Sequence, residues 1–251
     1  MSDNSKTYFH ITPSGSRIFV EECGSGPLMV LMHGLGGTTN AFQPLIRHFS
    51  SQYTMLRFDF PGSGFSTFKT PPSIPQFVQD LTSIIEAREV KESPILVGHS
   101  LGSSVAMHYA SQHPDVPALI LIGPGRSPSG IPAIVERMAG LAAKARLGIE
   151  GIRDFVVATN VAPSSSDIVR TAVRQIISSH TAEGYAATVD AAKAESHVDP
   201  DYAAIKCPVV IIAGDQDAIL PIAQSEEVKG LIGVGVGKKV FLEVVHAGHR
   251  N

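Results

Sequence analysis

The chain has 251 residues, is 43% hydrophobic and 17% charged, and carries a net charge of −3 at pH 7. Such a length buries a sizeable core and leaves one large or two small domains open, while the lack of a basic surplus excludes a phosphate backbone, so no nucleic acid partner is expected. Two distant cysteines, Cys23 and Cys207, give no disulfide framework. No run of about 18 apolar residues marks a membrane span and no basic-then-apolar N-terminus marks a secretory signal, so the expectation is a cytoplasmic protein with no membrane partner.

In chain order, TYFHIT and SRIFVEE, parted by Pro13-Ser14-Gly15, read as a hairpin. PLMVLM at 27–32 is a buried-strand run broken by HGLGG, and Phe42, Leu45, Ile46 and Phe49 then fall at helical spacing. TMLRF at 54–58 is a strand ended by DFPGSG, and residues 74–90 show one apolar helical face through Ile74, Phe77, Val78, Leu81, Ile84 and Ile85. PILV at 94–97 is a strand, and Leu101 to Gln112 reads as a helix stopped before His113-Pro114. ALILIG at 118–123, PVVIIAG at 208–214 and KKVFLEVV at 238–245 are the remaining strands. This alternation predicts an α/β fold with a mostly parallel central sheet flanked by helices. Ligands bind such sheets beyond the carboxyl ends of the strands, where the glycine-rich breaks fall.

From Arg126 to Asp199 the alternation gives way to alanine-rich helical stretches near 131–147, 149–159, 166–180 and 183–195. An insertion of this length is too long for a plain loop. The expected organisation is a core of 1–125 and 200–251 with 126–199 as an inserted helical cap; helices that merely pad the domain are the alternative.

GHSLG at 98–102 places Ser100 between a strand and a helix, with Gly98 and Gly102 on either side. A serine in G-x-S-x-G needs a turn sharp enough to lift its hydroxyl clear of the backbone, and that turn crowds the positions two residues away. The first turn of the following helix supplies unpaired N–H groups and partial positive charge. Ser100 is therefore the candidate nucleophile, against a plain tight turn. One oxyanion donor is expected to be the N–H of Leu101, the residue after it.

Taken together, HGLGG at 33–37, DFPGSGFS at 59–66, GHSLG at 98–102, and GDQDAILP at 214–221 followed by AGH at 247–249 resemble the alpha/beta-hydrolase superfamily, from about residue 8 to the end. Within it the chain looks most like small capped esterases and lactonases, including enol-lactonases, and somewhat like the related hormone-receptor hydrolases of plants. The resemblance implies the alpha/beta-hydrolase fold and the order serine, acid, histidine. It implies Asp217 as the acid, with Asp215 as the displaced alternative or a loop-capping role for Asp217. It implies His249 as the base, with His246 the nearest rival, and Leu35 N–H as the second oxyanion donor; the competing reading of Leu35 and Leu101 is core leucines at turns. His33 and His99 are structural in this family, and Asp59 belongs to a structural loop. Carboxylate nucleophiles in the superfamily occupy the elbow position, which here is Ser100. The other histidines read as surface or core groups, and a His246/His249 metal pair lacks further ligands, so no metal and no cofactor are expected.

The pocket is expected to border Leu35, Leu101, Phe65 and Ile219, mostly apolar. Arg126, at the start of the insertion, is either a surface arginine or a contact for a substrate carboxylate. Relatives continue past the Gly-His with a further helix, whereas this chain stops at Asn251; part of the sheet is expected to be uncovered and the histidine loop less firmly held. The activity expected is a serine hydrolase cleaving a carboxylic ester or lactone of a small, largely apolar molecule through an acyl-enzyme. A slow-turnover small-molecule receptor with the same triad, or an inactive C-terminally truncated hydrolase, are the alternatives.

Overall fold

The computed structural model describes residues 5–88, 92–233 and 240–250. Its strands are β1 (Lys6–Ile11), β2 (Arg17–Gly24), β3 (Leu28–Met32), β4 (Thr54–Phe58), β5 (Ile95–His99), β6 (Leu119–Ile122), β7 (Val209–Gly214) and β8 (Val240–Val245). They form one sheet in the order β1-β2-β4-β3-β5-β6-β7-β8. The hairpin of β1 and β2 is antiparallel, as is its junction with β4, and every other pairing is parallel. β3 is buried at all five positions, which is why LMVLM shows no alternation: both faces of a central parallel strand are covered. From β3 the chain crosses first to β4 on one side and later to β5 on the other. The crevice at the carboxyl ends of β3 and β5 is thus the switch point where doubly wound sheets bind ligands.

The helices are α1 (Gln43–Phe49), α2 (Ile74–Glu86), α3 (Leu101–Gln112), α4 (Pro132–Leu147), α5 (Glu150–Asn160), α6 (Asp167–Ser178), α7 (Ala182–Lys193) and α8 (Ile222–Ile232). The predicted helix from 38 splits into a 3-10 turn, Thr39–Phe42, and α1, whose first turn carries Pro44. Proline has no N–H to continue the preceding turn. α2 starts where the Ser73 side chain accepts the Gln76 N–H and buries Ile74, Phe77, Val78, Leu81 and Ile84. Positions 89 and 90 of that predicted helix, and 238 and 239 of the last predicted strand, lie outside the described residues. α8 was not legible in the sequence, because only Val228, Ile232 and the polar Ser225 are buried on it.

α4 to α7 all fall between β6 and β7. α4 packs on α7 and α5 on α6, around a second core that includes Ala145, Ile152, Val156, Ile177, Tyr185 and Val189. Leu35 and Met138 touch both this core and the one on the sheet. The insertion also meets the sheet's loops through bare backbone: a Cβ on Gly184 in α7 would lie 2.2 Å from the Gly62 carbonyl oxygen. At the far edge, Val210 on β7 and its neighbour Phe241 on β8 remain 37% and 59% exposed. Among the described residues no helix is long and apolar enough to cross a membrane.

Two glycine substitutions in helices separate this contact from intrinsic propensity. Alanine normally stabilises a helix interior by about 1 kcal/mol relative to glycine. At Gly230 in α8 a Cβ meets nothing within 4 Å, so Gly230→Ala raises the denaturation midpoint. Gly184→Ala lowers it, because the added methyl drives α7 off the Gly62 loop. Urea melts of the two variants check both signs.

Candidate active site

Ser100 follows β5 with φ 52° and ψ −114°, and among the described residues it is the one non-glycine with positive φ. Such a conformation costs about 1–3 kcal/mol and persists only where its surroundings enforce it. Here the Ser100 N–H donates to the Ile122 carbonyl at 2.8 Å, and the Ser103 hydroxyl donates to the Gly98 carbonyl at 2.7 Å. The flanking glycines let the segments close. A Cβ on Gly98 would lie 2.4 Å from the Gly102 carbonyl oxygen, and one on Gly102 would lie 2.1 Å from that of Met32. β5, α3 and the end of β3 meet at distances that no side chain permits.

Asp217 lies beyond β7 and His249 beyond β8, and the two loops are laced together. Asp215 N–H donates to the Val245 carbonyl and Gln216 N–H to that of Ala247, while Gly214 passes so near that a Cβ would lie 2.3 Å from the Ala247 oxygen. The result is a buried pair: His249 Nδ1 sits 2.7 Å from Asp217 Oδ2, with side-chain exposures of 4% and 2%. The other carboxylate oxygen accepts the Ile219 and Leu220 N–H groups, each at 2.8 Å. With Asp217 satisfied as an acceptor, Nδ1–H is the donor and Nε2 carries the imidazole's lone pair.

Ser100, His249, Leu35 and Leu101 line one cavity of about 760 Å³, together with residues of α4 and α5. No hydrogen bond joins the Ser100 hydroxyl to the imidazole, and Nε2 has no partner among the described residues. The N–H groups of Leu35 and Leu101 are likewise not donated to any described acceptor. The cavity thus gathers a hydroxyl, a ring nitrogen with a lone pair and two uncommitted main-chain donors.

The rival residues pair with each other instead. His246 Nδ1 lies 2.9 Å from Asp215 Oδ2 on an exposed surface, and neither lines the cavity. His246 and His249 therefore face different carboxylates, and among the described residues no group of three or more His, Cys, Asp or Glu side chains is arranged around a metal. Phe65 does not border the cavity: it is 68% exposed and packs edge-on against Phe19, because its loop turns away from the site. Arg126 lines the cavity but is held by Asp199 and Glu227. Two partnered carboxylates leave it no reason to await a third.

The resemblance casts His33 and His99 as structural, but the partners they hold, and the role of Arg250, carry no sequence signal. His99, next to the serine, points Nε2 at the His249 carbonyl at 2.7 Å, and burial pushes its pKa well below the usual value, so it donates as a neutral ring. His33 accepts the Phe60 N–H on Nε2 and donates from Nδ1 to the Gly34 carbonyl, and burial lowers it to about 3. Arg250 donates to the Leu35 and Gly36 carbonyls. The His249 loop is further tied by Arg250 N–H to the Asn160 carbonyl at the end of α5. Asp59 accepts the Thr39 and Phe65 N–H groups on its two carboxylate oxygens, at 2.7 and 2.9 Å, away from the cavity.

The family model described as alpha/beta hydrolase fold matches residues 27–250. Pimeloyl-[acyl-carrier protein] methyl ester esterase of Chromobacterium violaceum is 27% identical over 219 residues, covering 82% of each chain. The 2-(acetamidomethylene)succinate hydrolase of Mesorhizobium japonicum is 34% identical over 98 residues, or 39% of this chain and 35% of that protein. Among solved structures, an enol-lactonase from Burkholderia xenovorans LB400 superposes with a TM-score of 0.83 at 23% identity, covering 96% of this chain and 92% of the other. An esterase from Thermogutta terrifontis gives 0.85 at 22% identity, with 97% and 91% covered. These structural likenesses speak to the fold.

Gly98→Ala is expected to cost on the order of 3 kcal/mol in urea unfolding, since the new methyl meets main chain that cannot rotate away. Asp59 provides a pH test. Burial pushes its carboxyl up to about 6, opposed by the Phe65 and Thr39 donors. A carboxyl raised on folding binds protons that the unfolded chain has released, so its ionisation withdraws stability as pH climbs from about 4 to about 6. Asp59→Asn should lose this pH dependence while being less stable than the wild type at pH 4, because an amide cannot accept both N–H groups. Unfolding free energies at pH 4 and 7 read both effects.

Proposed function

Because the chain belongs to the alpha/beta hydrolase fold family, we propose that it hydrolyses a carboxylic ester or lactone of a small, largely apolar molecule through an acyl-enzyme on Ser100. The observation that carries this reading is the buried His249–Asp217 pair opening on the same cavity as the strained serine. The esterase name of the Chromobacterium relative supports the class of bond.

A serine hydroxyl is a weak nucleophile near neutral pH and needs a base to take its proton as it attacks. His249 Nε2 is that base: its Nδ1–H is committed to Asp217, which fixes the tautomer and stabilises the imidazolium as it forms. The carbonyl oxygen gains negative charge and is received by the Leu35 and Leu101 N–H groups, with the positive end of α3 behind Leu101. His249 then gives its proton to the departing alcohol. In the second half a water, deprotonated by Nε2, attacks the acyl carbonyl and returns Ser100 with release of the acid. No cofactor enters either step.

The inserted helices of 126–199 act in this proposal as the cap over the reaction. α4 and α5 furnish much of the cavity wall, and an apolar wall strengthens the electrostatics of the oxyanion site by keeping water away.

Ser100→Ala should abolish labelling by a fluorophosphonate probe and lower kcat/KM for p-nitrophenyl esters by on the order of a thousandfold or more. Equal turnover by the two proteins would falsify the serine mechanism. Asp217→Asn should keep substrate binding while kcat falls by about 10³- to 10⁴-fold, because the amide favours the wrong imidazole tautomer. A single-turnover burst without steady-state hydrolysis would instead identify a slow-turnover receptor.

A further inference from the structure

The charges around the cavity are unbalanced. Arg126, Arg137, Lys144 and Arg250 line it, against the single carboxylate of Glu227. Glu227 is spent on Arg126, which holds Asp199 as well. Arg250 donates to the Leu35 and Gly36 carbonyls, which orient the guanidinium without neutralising it. Arg137 and Lys144, both on α4, form no ion pair or hydrogen bond among the described residues.

This differs from the remaining cations of the inserted helices that have carboxylates nearby. Arg146 is bridged to Glu183 and Asp190, Arg153 and Arg174 to Asp154, and Lys193 to Asp190. Those residues lie outside the cavity, as does Arg170, which donates to the Ala162 and Pro163 carbonyls. Arg137 and Lys144 are seven residues apart and so share a face of α4, separated by about 10 Å along its axis. Ile134, Met138 and Leu141 line the cavity from the same helix. The wall therefore offers an apolar floor flanked by two uncommitted cations, in a cleft whose low-dielectric sides concentrate their field.

We propose that this cavity selects esters or lactones whose non-reacting end carries a carboxylate, received by Arg137 and Lys144 on α4 while the ester carbonyl lies at Ser100. The inference rests on the serine-hydrolase reading for the position of the reacting carbonyl. The carboxylate's binding itself needs only the cations. A flexible apolar linker would lie along Met138 and Leu141, and chain length would set how well both ends are engaged.

The test separates binding from turnover. Calorimetry with the Ser100→Ala variant compares the monomethyl esters of succinate, adipate and suberate with the corresponding dimethyl esters, which differ at the distal end only in charge. In low salt the best monoester should bind about tenfold tighter than its dimethyl counterpart. That ratio should shrink in about 0.5 M NaCl, as the cations are solvent-accessible. It should fall to near one when Arg137→Gln and Lys144→Gln are added; both side chains are exposed, so folding is not at risk. Equal or weaker binding of the monoester, or a preference that survives the double substitution, overturns the proposal. Hydrolysis by the unsubstituted chain is scored separately. Preference without turnover would sink the serine mechanism and leave the anion site standing, whereas turnover of dimethyl esters without preference would sink the anion site alone.

Discussion

The close approach of three main-chain segments around Ser100 is the constraint on which the site depends. β5 must end, reverse and enter α3 within a few residues while α3 presses on the end of β3, and the carbonyls of Met32 and Gly102 occupy the volumes that side chains at Gly102 and Gly98 would fill. Strain at one residue is tolerable because the adjoining hydrogen bonds and the fully buried strand β3 over-determine it. Tight packing there also fixes the two donors: Leu101 N–H heads α3, and Leu35 N–H sits in the turn that follows β3.

Asp217 and His249 are placed by a different device. They ride on neighbouring edge-side strands whose loops exchange backbone hydrogen bonds, so the buried pair is held by main chain on both sides and by the Ile219 and Leu220 N–H groups beneath the carboxylate. Burial gives the histidines around it their character. His33 and His99 are driven neutral and serve as directional donors to carbonyls, one at the turn before Leu35 and the other at His249 itself. Three histidines thus cluster at the site, yet one alone turns a ring nitrogen with a lone pair toward the cavity wall.

The inserted helices wall the cavity and are tied to the sheet. They are bound to the sheet by Leu35 and Met138, which belong to both cores, and by the bare contact of Gly184 with the Gly62 loop. The same helices carry the ion-paired Arg146, Arg153, Arg174 and Lys193 outside the cavity, and Arg137 and Lys144, with no ion pair among the described residues, toward it. Their packing and their charge pattern are separable properties: Leu35 and Met138 join the two cores, while Arg137 and Lys144 are exposed on α4.

The alternation of apolar runs with helical faces determined the parallel sheet, because strands covered on both sides need unbroken apolar sequence and amphipathic helices need a periodic one. GHSLG was legible for the same kind of local reason: the turn's geometry admits only minimal side chains at its flanks. Ser100, and through the resemblance Asp217, His249, Leu35 and Leu101, could be named before any coordinates. What sequence left open was partnership. Asp215 and Asp217, or His246 and His249, are equivalent as residue types two and three positions apart, and only the lacing of the two loops sends one pair into the interior and the other to solvent. Likewise Phe65 leaves the cavity, Arg126 is consumed by Asp199 and Glu227, and Arg137 with Lys144 have no ion-pair partner among the described residues, since distance between side chains remote in the chain is set by tertiary packing and by nothing local.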